Sequence, residues 1–264
     1  MSLPKDLSKF DALVEIIARL RAPDGCPWDR QQTHKTLREN LLSECYEVLE
    51  ALDEGDASKL CEELGDLLLQ IVLHAQIAAD NEEFKIGDVI KNITEKIVHR
   101  HPHVFGSARA NDAEEVMHNW EALKREEREV GASMLEGVPK NMPSLGYSYE
   151  IQRRVARVGF DWEEIEGVIE KLVEEIQEIR EAANQEEKAQ EYGDLLFTLA
   201  NIIRREEVDP EAALREANQR FYKRFAYMEE LCRKRGLSLD KMSFKEQNEL
   251  WGEAKRGVEQ GWSG

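Results

Sequence analysis

The sequence predicts an all-α fold of two tandem, related helical-bundle modules, on three observations. Apolar residues recur at spacings of three and four, as in Leu41, Cys45, Val48, Leu49, Leu52 and then Leu60, Leu64, Leu67, Leu68, Ile71. That period buries one face of a helix. Strand-type alternation is nearly absent. The chain also repeats itself: Ser43-Glu44-Cys45-Tyr46-Glu47, followed by Glu62-Glu63-Leu64-Gly65-Asp66-Leu67-Leu68, is echoed by Glu174-Glu175-Ile176-Gln177-Glu178 and Gln190-Glu191-Tyr192-Gly193-Asp194-Leu195-Leu196. Two later echoes keep the same order, Lys96 to Arg100 with Arg220 to Arg224, and Trp120 and Lys124 with Trp251 and Lys255. A duplicated helical module explains all four blocks.

The elements follow in order. The periodicity predicts helices over about 6–21, 31–53, 56–80, 86–100 and 112–130, and again over about 143–157, 163–184, 186–206, 210–235 and 243–257. Asp56 and Asn111 are expected N-caps, and Pro210 suits a first helical turn. Between the two sets runs a stretch with Gly131, Gly137, Pro139, Pro143 and Gly146, which reads as the connection. The expected organisation is a first module over 1–130, a linker over 131–146 and a second module over 147–264.

Composition excludes several classes. The 264 residues carry 36 Lys and Arg against 54 Asp and Glu, a formal charge of −18. No general nucleic-acid partner is expected of so acidic a chain. At 41% apolar residues it is not a disordered acidic tail. The first twenty residues contain Pro4, Lys5, Asp6, Lys9, Asp11 and Glu15, unlike a signal peptide, and no apolar run approaches the length that spans a bilayer. The reading is a cytoplasmic protein with no membrane partner. Cys26, Cys45, Cys61 and Cys232 form no CxxC pair, and Cys45 and Cys61 fall in apolar stripes, so both are expected to be small buried hydrophobes.

The chemistry-bearing residues are carboxylates. Glu175 and Glu178 lie three apart on one helix, and Glu191 and Asp194 three apart on the next, so each pair projects from one face. A short connection near 184–186 makes those helices antiparallel neighbours, which points four carboxylates at one cleft. Without a cation such a group is costly. Oxygen donors without His or Cys favour magnesium, with manganese as an alternative, and such ions keep positions for water and phosphates. Glu44, Glu47, Glu63 and Asp66 repeat the pattern in the first half. The mid-helix glycines Gly65 and Gly193 suggest close approach of a neighbouring helix or a ligand. Arg220, Lys223 and Arg224 share one face of a late helix and suit a polyphosphate, while Trp251 suits a nucleobase or a core position.

These residues resemble the all-α nucleoside triphosphate pyrophosphohydrolases: EExxE at Glu174 to Glu178, ExxD at Glu191 to Asp194, and a GDLLF core. Cys26-Pro27-Trp28-Asp29-Arg30-Gln31-Gln32-Thr33-His34, His74 to Ala78, Arg100-His101-Pro102-His103-Val104-Phe105 and Val158-Gly159-Phe160-Asp161-Trp162 narrow the resemblance to the two-domain MazG branch, over about Phe10 to Lys255. The resemblance implies a homodimer that hydrolyses (deoxy)nucleoside triphosphates, ATP among them, to the monophosphate and pyrophosphate with magnesium. It places metal ligands at Glu175, Glu178, Glu191 and Asp194, and nucleotide contacts at Lys171, Lys188, Arg220, Lys223, Arg224 and Trp251.

The halves differ. Ser43 replaces the leading Glu of EExxE, Leu73 stands where the second half has Asn201, and His99 stands where it has Lys223. The second module is therefore expected to be the main catalytic site, with the first structural, regulatory or weakly active. Two rivals come from other classes. A di-iron carboxylate bundle needs Glu-x-x-His on two helices, whereas Glu115 to His118 has no counterpart in the second half. A non-enzymatic helical adaptor would use its acidic faces for solubility alone. The cluster His99, His101 and His103 reads as a helix-terminal turn, because Pro102 breaks the helix.

Overall fold

The computed structural model describes residues 3–126, 131 and 133–262, with the backbone alone at 114, 118, 121 and 124–126. The side chains of His118 and Lys124, and the far end of the helix expected to reach 130, lie outside the described residues. Among the described residues the regular structure is entirely helical, and no helix is long and apolar enough to cross a membrane. The chain divides into two compact units, Met1–Glu129 and Val130–Gly264.

The first unit contains α1 (Phe10–Arg21), α2 (Pro27–Gln31), α3 (Arg38–Glu54), α4 (Ala57–Asp80), α5 (Ile86–Arg100), α6 (Pro102–Phe105) and α7 (Ala113–Glu126). Gly55 ends α3 in the left-handed conformation, φ 69°, and the Asp56 carboxylate at once accepts from the backbone N–H of Ser58 and Lys59 to start α4. This tight reversal makes α3 and α4 antiparallel neighbours. The core gathers Ile17, Leu37, Val72, Leu73 and Ile77, with Leu13, Val14, Leu20, Leu69 and Ile86 against it.

The second unit contains α8 (Ser144–Ala156), α9 (Ile165–Glu181), α10 (Gln185–Arg205), α11 (Pro210–Arg235), a 3-10 turn at Leu239–Lys241 and α12 (Phe244–Glu259). Asn184 caps α10 by accepting from Glu186 and Glu187 N–H, Asp209 caps α11 with Pro210 in its first turn, and Ser243 with Glu246 forms a capping box on α12. α10 packs between α8 and α9, and α11 packs on α12. Gln152 of α8 donates to the Phe197 carbonyl at 2.8 Å, fixing α8 on α10. A second core joins Met228, Cys232, Leu250 and Ala254 to Tyr227, Leu231, Leu239, Met242 and Trp251. The stretch before α8 is packed: Val138 is buried, and Arg154 donates to the Glu136 carbonyl at 2.7 Å.

Several details differ from expectation. The helix expected over 31–53 begins only at Arg38, because Pro27 nucleates the separate α2 and residues 32–37 turn through side-chain bonds. Thr33 N–H donates to Thr36 Oγ1 at 2.9 Å, and Thr36 Oγ1 to Gln32 Oε1 at 2.8 Å. The turn delivers Leu37, 1% exposed, into the core. The cap of α7 is Asp112, which accepts from Glu115 N–H at 2.8 Å, while Asn111 instead donates to the Glu115 carboxylate. Cys61 is exposed and Cys45 half-buried; the buried cysteine is Cys232. A Cβ added at Gly65 or Gly193 meets nothing within 4 Å, so neither glycine serves close helix packing inside its unit. Just before Pro102, the His101 Nδ1–H donates to the Ile97 carbonyl at 2.6 Å, and the ring meets Trp120 edge-on.

Leu37 anchors both the turn and the first core, so Leu37→Ala should lower unfolding free energy by about 3 kcal/mol. Urea denaturation of the variant against the parent measures this; a loss below about 1 kcal/mol would deny Leu37 that anchoring role.

Candidate functional site

In the second unit, α9 and α10 carry the acidic residues on facing sides of an antiparallel pair. Carboxylate oxygens of Glu175, Glu178 and Glu191 all lie within 4.8 Å of one another. Glu175 is 3% exposed, and its Oε2 is buried with no hydrogen-bond partner. Lys171, one turn before Glu175, places Nζ 2.8 Å from Glu175 Oε1, 2.8 Å from Glu174 Oε1 and 3.8 Å from Glu178 Oε2. These ion pairs hold its ammonium protonated well above the usual lysine range. Partial burial, and then the charges of Glu178, Glu175 and Asp194, push the Glu191 carboxyl above its ordinary range even with Lys171 nearby. Asp194 is exposed and acts on the group through its charge.

The first unit assembles a different trio. Oxygens of Glu44, Glu63 and Asp66 lie within 4.8 Å of one another. Glu47 lies beside the trio, close enough for its charge to act on Glu44 and Glu63, and its Oε1 accepts from Ser43 Oγ at 3.0 Å. Gln70, 4% exposed, reaches Glu44 Oε1 from Nε2 at 3.5 Å and leaves its own Oε1 buried without a partner. Burial and the charges of Glu47 and Asp66 raise the Glu44 carboxyl; burial, Glu47, Glu62 and Asp66 raise that of Glu63. Asn40 stands one turn before Glu44, where the second unit has Lys171. Lys59, whose charge is felt at Glu63, is engaged by Glu50 and Glu54 at 3.1 and 3.0 Å. Asn40 and Ser43 are a paired loss visible in the repeat, a signal that the spacing of the carboxylates alone does not carry.

The remaining candidates sit elsewhere in their local contacts. Arg220 pairs with Glu216 at 3.3 Å, Arg224 with Glu259 at 3.7 Å, and Lys223 is exposed. Lys188 is half-buried, and no described hydrogen bond or ion pair joins it to the carboxylates. Trp251 packs against Phe221, with ring centroids 5.1 Å apart, and lies 6.0 Å from Lys255 Nζ. Asn201 has a structural duty that its spacing does not reveal: it is 5% exposed and its Oδ1 accepts from Arg204 Nη2 at 2.7 Å. Arg204 in turn reaches both Asp161 oxygens at 2.7 Å. The exchange of Leu73 for Asn201 therefore serves this ion pair.

Residues 32–105 match the family model for the MazG nucleotide pyrophosphohydrolase domain, and residues 152–221 match that for phosphoribosyl-ATP pyrophosphohydrolase. The nucleoside triphosphate pyrophosphohydrolase/pyrophosphatase MazG of Thermotoga maritima is 44% identical over 251 residues, covering 95% of this chain and 97% of that protein. The chain belongs to the MazG family of nucleoside triphosphate pyrophosphohydrolases. The nucleoside triphosphate pyrophosphohydrolase of Escherichia coli K12 is 40% identical over 258 residues, covering 95% of this chain and 98% of that protein. A crystal structure of a mazG-related protein from Thermotoga maritima is 35% identical, with a TM-score of 0.39 over 44% of this chain and 98% of that one.

Both halves of this MazG family chain thus bring three carboxylates together, but only the second has an ammonium inside the group. A carboxyl whose folded pKa is raised holds its proton more tightly in the folded state. It contributes stability below the ordinary carboxylate pKa and loses it as pH rises through the raised value. In chelator, Glu63→Gln should therefore raise the melting temperature at about pH 7, with the gain vanishing toward about pH 4. Differential scanning fluorimetry across that range tests it; a gain that is constant with pH would show that charge repulsion is not its source.

Proposed function

We propose that the chain hydrolyses (deoxy)nucleoside triphosphates to the monophosphate and pyrophosphate with magnesium, mainly in the second unit. The observation that carries this reading is the α9 and α10 carboxylate group, in which Glu175 keeps a buried oxygen without a partner beside Glu178 and Glu191. An all-oxygen donor set with a free buried oxygen fits a hard divalent cation. Glu175, Glu178 and Glu191 would hold it, with Asp194 contributing from the rim. Magnesium, or manganese in its place, supplies positive charge against the charge that develops on the pyrophosphate leaving group.

The chain's own residues do the rest. Lys171 hands its ammonium from the carboxylates to the phosphates when substrate arrives, an exchange between partners of the same sign. Arg220 and Arg224 release exposed glutamates, contacts of little energetic weight, to meet phosphate oxygens beside Lys223. Lys188 and Trp251 complete the nucleotide contacts expected from the resemblance. The first unit lacks a lysine in its acidic group and keeps Glu47 on Ser43, which supports a structural, regulatory or weakly active role. A di-iron site would need histidine ligands, and the acidic groups found among the described residues contain none.

Release of pyrophosphate from a panel of triphosphates tests the reaction. Glu175→Gln should lower it at least about 100-fold while Glu44→Gln leaves most of it. Equal losses would sink the unequal-site model, and orthophosphate as the direct product would overturn the reaction class. An adaptor without activity would also show no magnesium- and nucleotide-dependent rise in melting temperature.

We further propose a homodimer. Val173 is 61% exposed, Leu196 57% and Phe221 60%, and the corresponding Leu42, Leu68 and Ile97 are exposed in the first unit. Apolar helix faces of this extent call for a partner surface, and a second copy supplies the same one. Leu196→Glu with Phe221→Glu should shift the sedimenting species from dimer to monomer. A dimer that survives both changes would place the interface elsewhere.

A further inference from the structure

We propose that Trp162 is the nucleobase platform of the second unit, an inference that rests on the reading of that unit as a triphosphate-hydrolysing site. Trp162 is 45% exposed, yet its backbone is held on both sides. Its N–H donates to Asp161 Oδ1 at 3.0 Å, and its carbonyl accepts from Arg205 Nη1 at 2.7 Å. Arg205 Nη2 also donates to the Glu163 carbonyl at 3.2 Å. Asp161 is itself clamped by Arg204, whose side chain is 11% exposed, and by Arg205 at 3.3 Å. Two largely buried arginines from the end of α10 are thus spent on the loop that presents one open indole. Arrangements of this kind fix a contact surface in advance of its ligand.

The indole lies on the active face of α9. A Cβ added at Gly167 would stand 2.8 Å from Trp162 Cδ1, so the ring rests directly on the glycine. Gly167, Lys171 and Glu175 succeed one another at four-residue intervals, one turn apart on the same side of the helix. The track therefore runs from aromatic ring to ammonium to carboxylate group over about 12 Å of helix rise. A nucleoside triphosphate laid along it has its base on Trp162 and its phosphates at Lys171 and the carboxylates. Beside the ring, Gly159, Phe160, Asp161 and Trp162 line an open depression of about 280 Å³. Phe160, 78% exposed, adds a second aromatic at its edge. Trp251, the nucleotide contact expected from the resemblance, packs on Phe221 and the Met228 and Leu250 cluster, on elements other than α9. Because every base has a π-face, a stacking platform accepts all four bases and favours the larger purines.

Steady-state kinetics with ATP, GTP, CTP and UTP in magnesium tests the assignment, alongside indole fluorescence. Trp162→Ala should raise KM about tenfold or more for each nucleotide with kcat changed less than about twofold, and Trp162→Phe should retain most of the affinity. Gly167→Ala, which displaces the ring, should raise KM in the same direction. Quenching of indole emission by ATP should fall in Trp162→Phe, with Trp251 accounting for what is left. An unchanged KM with intact quenching in both Trp162 variants, while Glu175→Gln abolishes turnover, overturns this inference and leaves the site reading standing. A fall in kcat at unchanged KM would make Trp162 a structural residue and also overturn it. Absence of pyrophosphate release by the wild-type protein overturns the site reading, and this inference with it.

Discussion

Like charges held together on facing helices are the constraint around which each unit is built. Three carboxylates within 4.8 Å of one another repel across their two helices, so the helix pair must be held by other means. The means are local at one end and global along the back. Gly55 with Asp56, and Asn184 at the start of α10, reverse the chain within a few residues. Behind the acidic faces, buried residues such as Val72 and Leu73 on α4 and Val168 and Ala200 on α9 and α10 supply the apolar contacts that offset the repulsion. The acidic side is then free to be organised for a cation.

Much of this is legible in the order of the amino acids. Helix periods, the Asp56 cap, the proline at the start of α11 and the doubled acidic pattern are local signals, and each arises from one or two turns of chain. What the sequence conceals depends on side chains meeting across elements. Which three carboxylates converge differs between the units: Glu47 is bonded to Ser43 beside the first trio, and Asp194 stays at the rim of the second. Asn201 resembles a polar contact for ligand because its partner, Arg204, is itself defined by Asp161 over forty residues away. Gly65 and Gly193 suggest tight packing, but their open side only becomes apparent when the whole unit is assembled.

The two units also fasten their entry loops differently. In the first, Arg21 of α1 donates to the Gln32 carbonyl at 3.1 Å and pairs with Asp80 of α4 at 2.7 Å. In the second, the arginines come from α10, the helix that also carries Glu191 and Asp194. The loop and part of the acidic group therefore share one rigid element in the second unit, whereas the first ties its loop through a separate helix. Duplication has kept the scaffold and relocated the fastening.

Lys171 also sets how the second unit carries its charge without a cation. As a built-in counter-ion it relieves the second unit's acidic group when divalent cations are scarce, while the first unit, with Asn40 in that place, has only the Gln70 amide beside Glu44 and the charge of Lys59 near Glu63. The halves of one chain consequently meet chelation with different internal compensation, an ammonium within the group in one and a neutral amide with a more distant charge in the other.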